Sequence, residues 1–170
     1  MTPSIWQLLI VLIICLSPLI VLIFVKNSQY KELSGNQKYA GFWYRFLAGI
    51  IDLIILYVVL FLSGILIGLI FPKLFYSMTE GSRGIGFIIS LFYYALFQSS
   101  SKQATPGMMA FGIKICDKNL QKVNFWRLVL RYFATILSNL TLGIGFFMIG
   151  WTKRKQGLHD MIAKTIHLKN

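Results

Sequence analysis

The chain has 170 residues, 56% of them hydrophobic, and a mean hydropathy of +0.69. That is more apolar sequence than a soluble globule of this size can bury. Seventeen Lys and Arg against five Asp and Glu give +12. These basic residues occupy short stretches between apolar runs, where the positive-inside rule puts them, and leave no soluble domain with the contiguous basic face that nucleic-acid binding needs. The expectation is an all-α, polytopic integral membrane protein.

Ile5 to Val25 is an uncharged run broken only by Ser17-Pro18. It lacks the basic leader and small-residue cleavage site of a signal peptide and is longer than a signal core, so residues 1–27 read as a retained transmembrane helix, bent at Pro18. Cys15 falls within this span and Cys116 in a polar loop. A disulfide between them is not expected, and neither has metal-ligand spacing to a histidine. No cofactor or metal is implied. Residues 28–38 form a polar linker with Lys31 and Lys38 against Glu32 and with a loop signal at Ser34-Gly35-Asn36. Its positive balance assigns it to the cytoplasm and the N-terminus to the outside.

Residues 39–170 form the main membrane domain. From Phe46 to Phe71 the chain has 26 residues and one charge, Asp52, enough to cross a bilayer, which needs about 20. A carboxylate near the centre of such a span costs about 2.5–3.5 kcal/mol to insert. Arg45 stands seven residues earlier at the mouth of the same helix, on the same face, two turns or about 10 Å away. Gly64 and Gly68 allow close helix approach, a spacing common in apolar sequence. Residues 72–84 read as an outside loop with Lys73, Glu80 and Arg83, followed by a third helix over 85–97 that returns the chain to the cytoplasm.

In the polar stretch 102–124, Thr105 is placed to cap a one-turn helix with Pro106 at its first position. Ile113–Cys116 and Gln121–Val123 flank Asp117-Lys-Asn-Leu120 as a small cytoplasmic hairpin, and Asn124 caps the next helix. The last apolar segment, 128–151, contains Arg131 and a break at Ser138–Thr141 with Gly143 and Gly145. A full fourth crossing would put five basic residues of the tail outside, against the charge rule. The preferred architecture is therefore three full transmembrane helices plus a C-terminal re-entrant or interfacial helical hairpin, with a fourth span as the alternative. The basic tail, 153–170, then lies on the cytoplasmic surface.

With AGFWYRFLAGIID at 40–52, QATPGMMAFGIKI at 103–115, FWRLVLRY at 125–132 and KRKQGLHDMIAKT at 153–165, the chain resembles the RDD family of small membrane proteins, named for one arginine and two aspartates. Arg45, Asp52 and Asp160 stand at those positions. Met108 occupies a place where lysine is common in the family, and an extra helix precedes the domain. The resemblance implies a multi-pass protein of the bacterial inner membrane, with transport suggested and cation/proton exchange proposed for some members.

Asp52, Arg45 and Asp160 are the candidate binding residues. Desolvation favours the neutral form of Asp52 unless a cation or donor stays nearby, and a carboxylate that trades a proton for a monovalent cation is the minimal part of an exchanger. The competing reading makes the trio structural, within a non-catalytic scaffold or accessory subunit. Arg45 suits a carboxylate through its bidentate fork; with the tail cytoplasmic it meets Asp160, and otherwise it anchors to headgroups. His159 reads as surface, Arg127 and Arg131 as headgroup contacts, and Gln103 to Gly107 as loop-shaping residues. Tyr132, Asn139 and Thr141 either line a path or satisfy broken backbone. The sequence holds no GxSxG, HExxH, CxxC or Walker loop, so an enzyme is not expected. Three or four helices are too few to enclose a pathway, which implies a homo-oligomer or a partner membrane protein within the lipid bilayer.

Overall fold

The computed structural model describes residues 30–33, 37–141 and 143–169, without the side chains of 74–83. The helix expected over 1–27 and part of the 28–38 linker lie outside the described residues. A short strand β1 (Lys38–Tyr39) leads into α1 (Phe42–Ile70), among the described residues the one helix long and apolar enough to cross a membrane. Its buried residues are Ala48, Asp52 and Leu56. Their spacing of four puts them on one stripe, while Leu53, Tyr57, Leu66 and Leu69 on the other faces are exposed, as on a helix that faces lipid.

Helix α2 (Pro72–Ser99) follows α1 with a single residue, Phe71, between them. The segment 72–84 is therefore helical rather than the expected loop. Pro72 sits at the first turn, where its fixed φ and missing N–H favour helix initiation. Glycine costs about 1 kcal/mol in a helix interior, too little to break a helix anchored by the packing of its C-terminal half. Helix α3 (Pro106–Ala110) follows with the expected cap, Thr105 Oγ1 accepting from the Met108 N–H. Gly112, at φ +65°, turns the chain into strand β2 (Ile113–Asp117).

The helical fold carries a small antiparallel sheet, so all-α is corrected to mostly helical. β2 pairs not with residues 121–123 but with the C-terminal strand β3 (Thr165–Lys169), from Ile113 opposite Lys169 to Asp117 opposite Thr165. β1 closes the other edge in the order β1-β3-β2. The turn after β2 forms as expected around Asp117, whose Oδ1 accepts from the Asn119 and Gln121 N–H groups. Leu120, at φ +65°, completes this turn, which the Asp117 N–H closes on the Gln121 carbonyl at 2.9 Å.

Asn124 caps α4 (Phe125–Leu140) through the Trp126 N–H. Helix α5 (Ile144–Trp151) follows at an angle of 100°, and α6 (Leu158–Ala163) packs along α4. Lys164 then turns into β3 at φ +52°. The tail is not a surface segment: Thr165, Ile166, His167 and Leu168 are all buried. One core joins Ile113, Ile115, Val123, Met108, Leu128 and Ala48, and a second forms where Cys116, Ile166 and Leu168 meet Tyr39.

A buried charge cluster beside a cavity

Two carboxylates are buried in different ways. Asp160, on the first turn of α6, is fully enclosed. Arg45 from α1 reaches its Oδ2 at 2.6 Å and also donates to the Lys155 carbonyl at 2.9 Å. Arg131 from α4 donates through Nε to Oδ1 at 2.8 Å and through Nη1 to Gln98 Oε1 on α2 at 3.0 Å. The Gly157 N–H completes the shell at 3.0 Å. Asp160 thus ties α1, α4 and the start of α6 into one knot, with α2 attached through Gln98.

Two histidines pack against this knot. A guanidinium can only donate, so His159 Nε2 accepts from Arg45 at 3.4 Å and its proton lies on Nδ1, 3.1 Å from Ser138 Oγ. By the same logic His167 Nε2 accepts from Arg131 at 3.3 Å. Its Nδ1–H has no hydrogen-bond partner among the described residues and lies 3.8 Å from Asp160 Oδ1. Burial first, then the two guanidiniums, hold both imidazoles neutral: His159 is pushed down to about 3 and His167 well below its usual value, against the opposing pull of Asp160. Burial works against the Asp160 carboxylate, yet the guanidiniums of Arg45 and Arg131 hold it well below the usual carboxylate range.

All three shifts act in one direction. A histidine held neutral in the fold takes up its proton only on unfolding, so stability falls as pH drops from about 6.5 towards 3. The depressed Asp160 adds stability that is present above its unfolded value and is lost at still lower pH. The melting temperature of the detergent-solubilised protein is therefore expected to decline steadily below pH 6.5. His159→Gln, which keeps a hydrogen-bonding group towards Ser138, should flatten that decline; an unchanged slope would contradict the assignment.

Asp52 sits two turns deeper on α1. Its Oδ1 accepts from Tyr93 Oη at 2.9 Å and from the Gly107 N–H at 2.8 Å, and its Oδ2 accepts from Thr105 Oγ1 at 2.6 Å. Among the described residues no cation forms an ion pair with it. A cavity of about 470 Å³ lies between α1, α2, α4 and the tail, with Asp52, Arg45, Arg131, Gln98 and His167 in its lining. Most of the remaining wall is apolar.

Arg45 and Asp160 are brought into contact, whereas Asp52 pairs with neither. Three sequence expectations are corrected. His159 is buried. Arg131 binds Asp160, and Arg127 binds the Ala163 and Lys164 carbonyls and approaches Asp117, so neither is a simple headgroup contact. Thr105 and Gly107 are direct partners of Asp52 rather than loop-shapers alone. Tyr93, Gln98 and His167 join the site without a sequence motif around them. Gln98 and Tyr93 are polar tips in an apolar helix, the one signal that marks them. Among the described residues no group of three or more His, Cys, Asp or Glu is placed to hold a metal ion.

Comparison with known proteins supports the resemblance. The profile of the RDD family matches residues 39–164. The chain is 36% identical over 146 residues to the uncharacterized protein YxaI of Bacillus subtilis (strain 168), covering 76% of this chain and 96% of that protein. It is 30% identical over 146 residues to the uncharacterized membrane protein YteJ of the same organism, covering 83% and 87% respectively. No solved structure matches the chain.

Proposed function

The chain belongs to the RDD family of membrane proteins, and from that premise we propose that it is a transport protein in which Asp52 alternately carries a proton and a monovalent cation. One observation supports this above the others: Asp52 is buried beside the cavity and held by three neutral donors, with no protein cation paired to it among the described residues. A carboxylate offers about four lone-pair sites, so three donors leave room for one more ligand. Tyr93 and Thr105 are hydroxyls, which turn from donor to acceptor when the carboxylate gains a proton. The shell therefore accommodates both states, which exchange requires. No covalent chemistry is involved.

In this reading the N-terminus lies outside and the tail inside the bacterial inner membrane, with α4 and α5 as a re-entrant hairpin. Several copies, or a partner membrane protein, supply the rest of the pathway. The Arg45–Asp160–Arg131 knot is the part that favours the alternative, a scaffold or accessory subunit, because both guanidiniums are engaged in holding Asp160 and the helices around it.

Vesicles with an internal pH dye, challenged with Na⁺, K⁺ or Li⁺ outside, separate the two. Wild type is expected to move protons in response to a cation. Asp52→Asn is expected to insert normally and lose at least about tenfold of that flux, the effect of removing one charge-assisted contact. Silence from correctly inserted wild type would overturn exchange and leave the scaffold.

A further inference from the structure

The charges around the cavity do not cancel locally. Arg45 and Arg131 share one carboxylate, Asp160, and both histidines are neutral, so the end formed by the knot carries one positive charge in excess. Nearby, His167 leaves its Nδ1–H unpaired although it is buried. At the other end Asp52 is an acceptor with no protein counter-charge among the described residues. Separated, unmatched charges in a low-dielectric site are costly unless something bridges them.

The wall gives the second half of the argument. Phe46, Ile50 and Leu53 line the cavity and also belong to the exposed apolar surface of α1. The cavity therefore opens sideways, towards the acyl chains, as well as having a polar interior. Its volume of about 470 Å³ falls within the range of small-molecule sites. Arg45 and Asp52 lie two turns apart on one face of α1 and line the same cavity, so a bound molecule meets a cationic end and an anionic end.

We propose that this cavity binds a zwitterion carrying a primary ammonium and a phosphate, with the ammonium on Asp52 and the phosphate towards Arg45, Arg131 and His167. The side opening suits the headgroup of an ethanolamine phospholipid; free phosphoethanolamine offers the same chemistry. The inference rests on Asp52 as the unpaired group of the exchange reading, and the ammonium competes there with the transported cation.

The test is a titration of the purified, detergent-solubilised protein, followed by thermal stability and native mass spectrometry. Dioleoyl phosphatidylethanolamine, phosphatidylcholine and phosphatidylglycerol are compared, with soluble phosphoethanolamine alongside. Trimethylammonium has no N–H for Asp52, and the glycerol headgroup has no cation. The ethanolamine lipid should half-saturate at about tenfold lower concentration than either, the value of one charge-assisted hydrogen bond. Asp52→Asn should erase that preference while leaving the anionic lipid unaffected. A matching shift with phosphoethanolamine assigns the site to the soluble zwitterion; a shift with the lipid alone assigns it to the headgroup. Equal responses to the three lipids, or a preference that survives Asp52→Asn, overturn the proposal. The wild-type ranking decides by itself if the variant does not fold. Equal lipid responses together with Asp52-dependent cation flux would sink this inference and leave exchange standing.

Discussion

Asp160→Asn is expected to cost about 3–5 kcal/mol of folding stability, the range for removing one partner from a buried ion pair. Both guanidiniums would remain enclosed, with side chains 10% and 13% exposed, facing a neutral amide. The amide nitrogen would also confront the Nη2 group of Arg45 or Nε of Arg131, donor against donor. Arg45→Gln and Arg131→Gln should each cost less, because Asp160 keeps one cation and the Gly157 N–H. Chemical unfolding in mild detergent gives the ranking. Equal losses for all three variants would mean that the two arginines do not share Asp160 as a common counter-charge.

That ranking also shows how far the sequence carries. Arg45, Asp52 and Asp160 were legible because an ionisable group in or beside an apolar run is costly and so marks itself. Their partners were not. Asp52 finds Tyr93, Thr105 and Gly107 at separations of 41, 53 and 55 residues, and helix periodicity says only that positions 45 and 52 share a face. It cannot say that α2 and α3 close on the deeper position while α6 closes on the other.

The tail misled for a related reason. Counting lysines assigned it to the surface, but Lys164 and Lys169 bracket an uncharged run, Thr165-Ile-His-Leu168. The β-branched Thr165 and Ile166 within it suit a strand. The local caps at Thr105 and Asn124 were legible because a cap needs only its own three or four residues. The pairing of β2 with β3 depends on chain that returns some fifty residues later, so the nearer residues 121–123 looked like its partner. The helix over 72–84 is hidden by a polar composition that reads as a turn, although Pro72 is a helix-start signal as much as a loop signal.

Gly107→Ala is expected to dismantle the Asp52 site through backbone alone. A Cβ at position 107 would lie 2.1 Å from the Ala48 carbonyl oxygen and 2.9 Å from the carboxyl carbon of Asp52. Neither can yield, since the first is main chain of α1 and the second is held by three hydrogen bonds. Helix α3 would have to move off α1, breaking the Gly107 N–H contact and pulling Thr105 Oγ1 away from Oδ2. Overpacking of this kind costs about 1–3 kcal/mol, and a carboxylate stripped of a buried donor adds about 1–3 more. The control is Gly84→Ala on α2, where an added Cβ meets nothing within 4 Å. There alanine's helix propensity should raise stability by about 1 kcal/mol. Opposite signs for the two substitutions in the same melting assay would show that α3 is clamped against Asp52 by the absence of a side chain at 107. If both variants were stabilised, the close approach of α3 to α1 would be wrong, and the three-donor shell around Asp52 would fall with it.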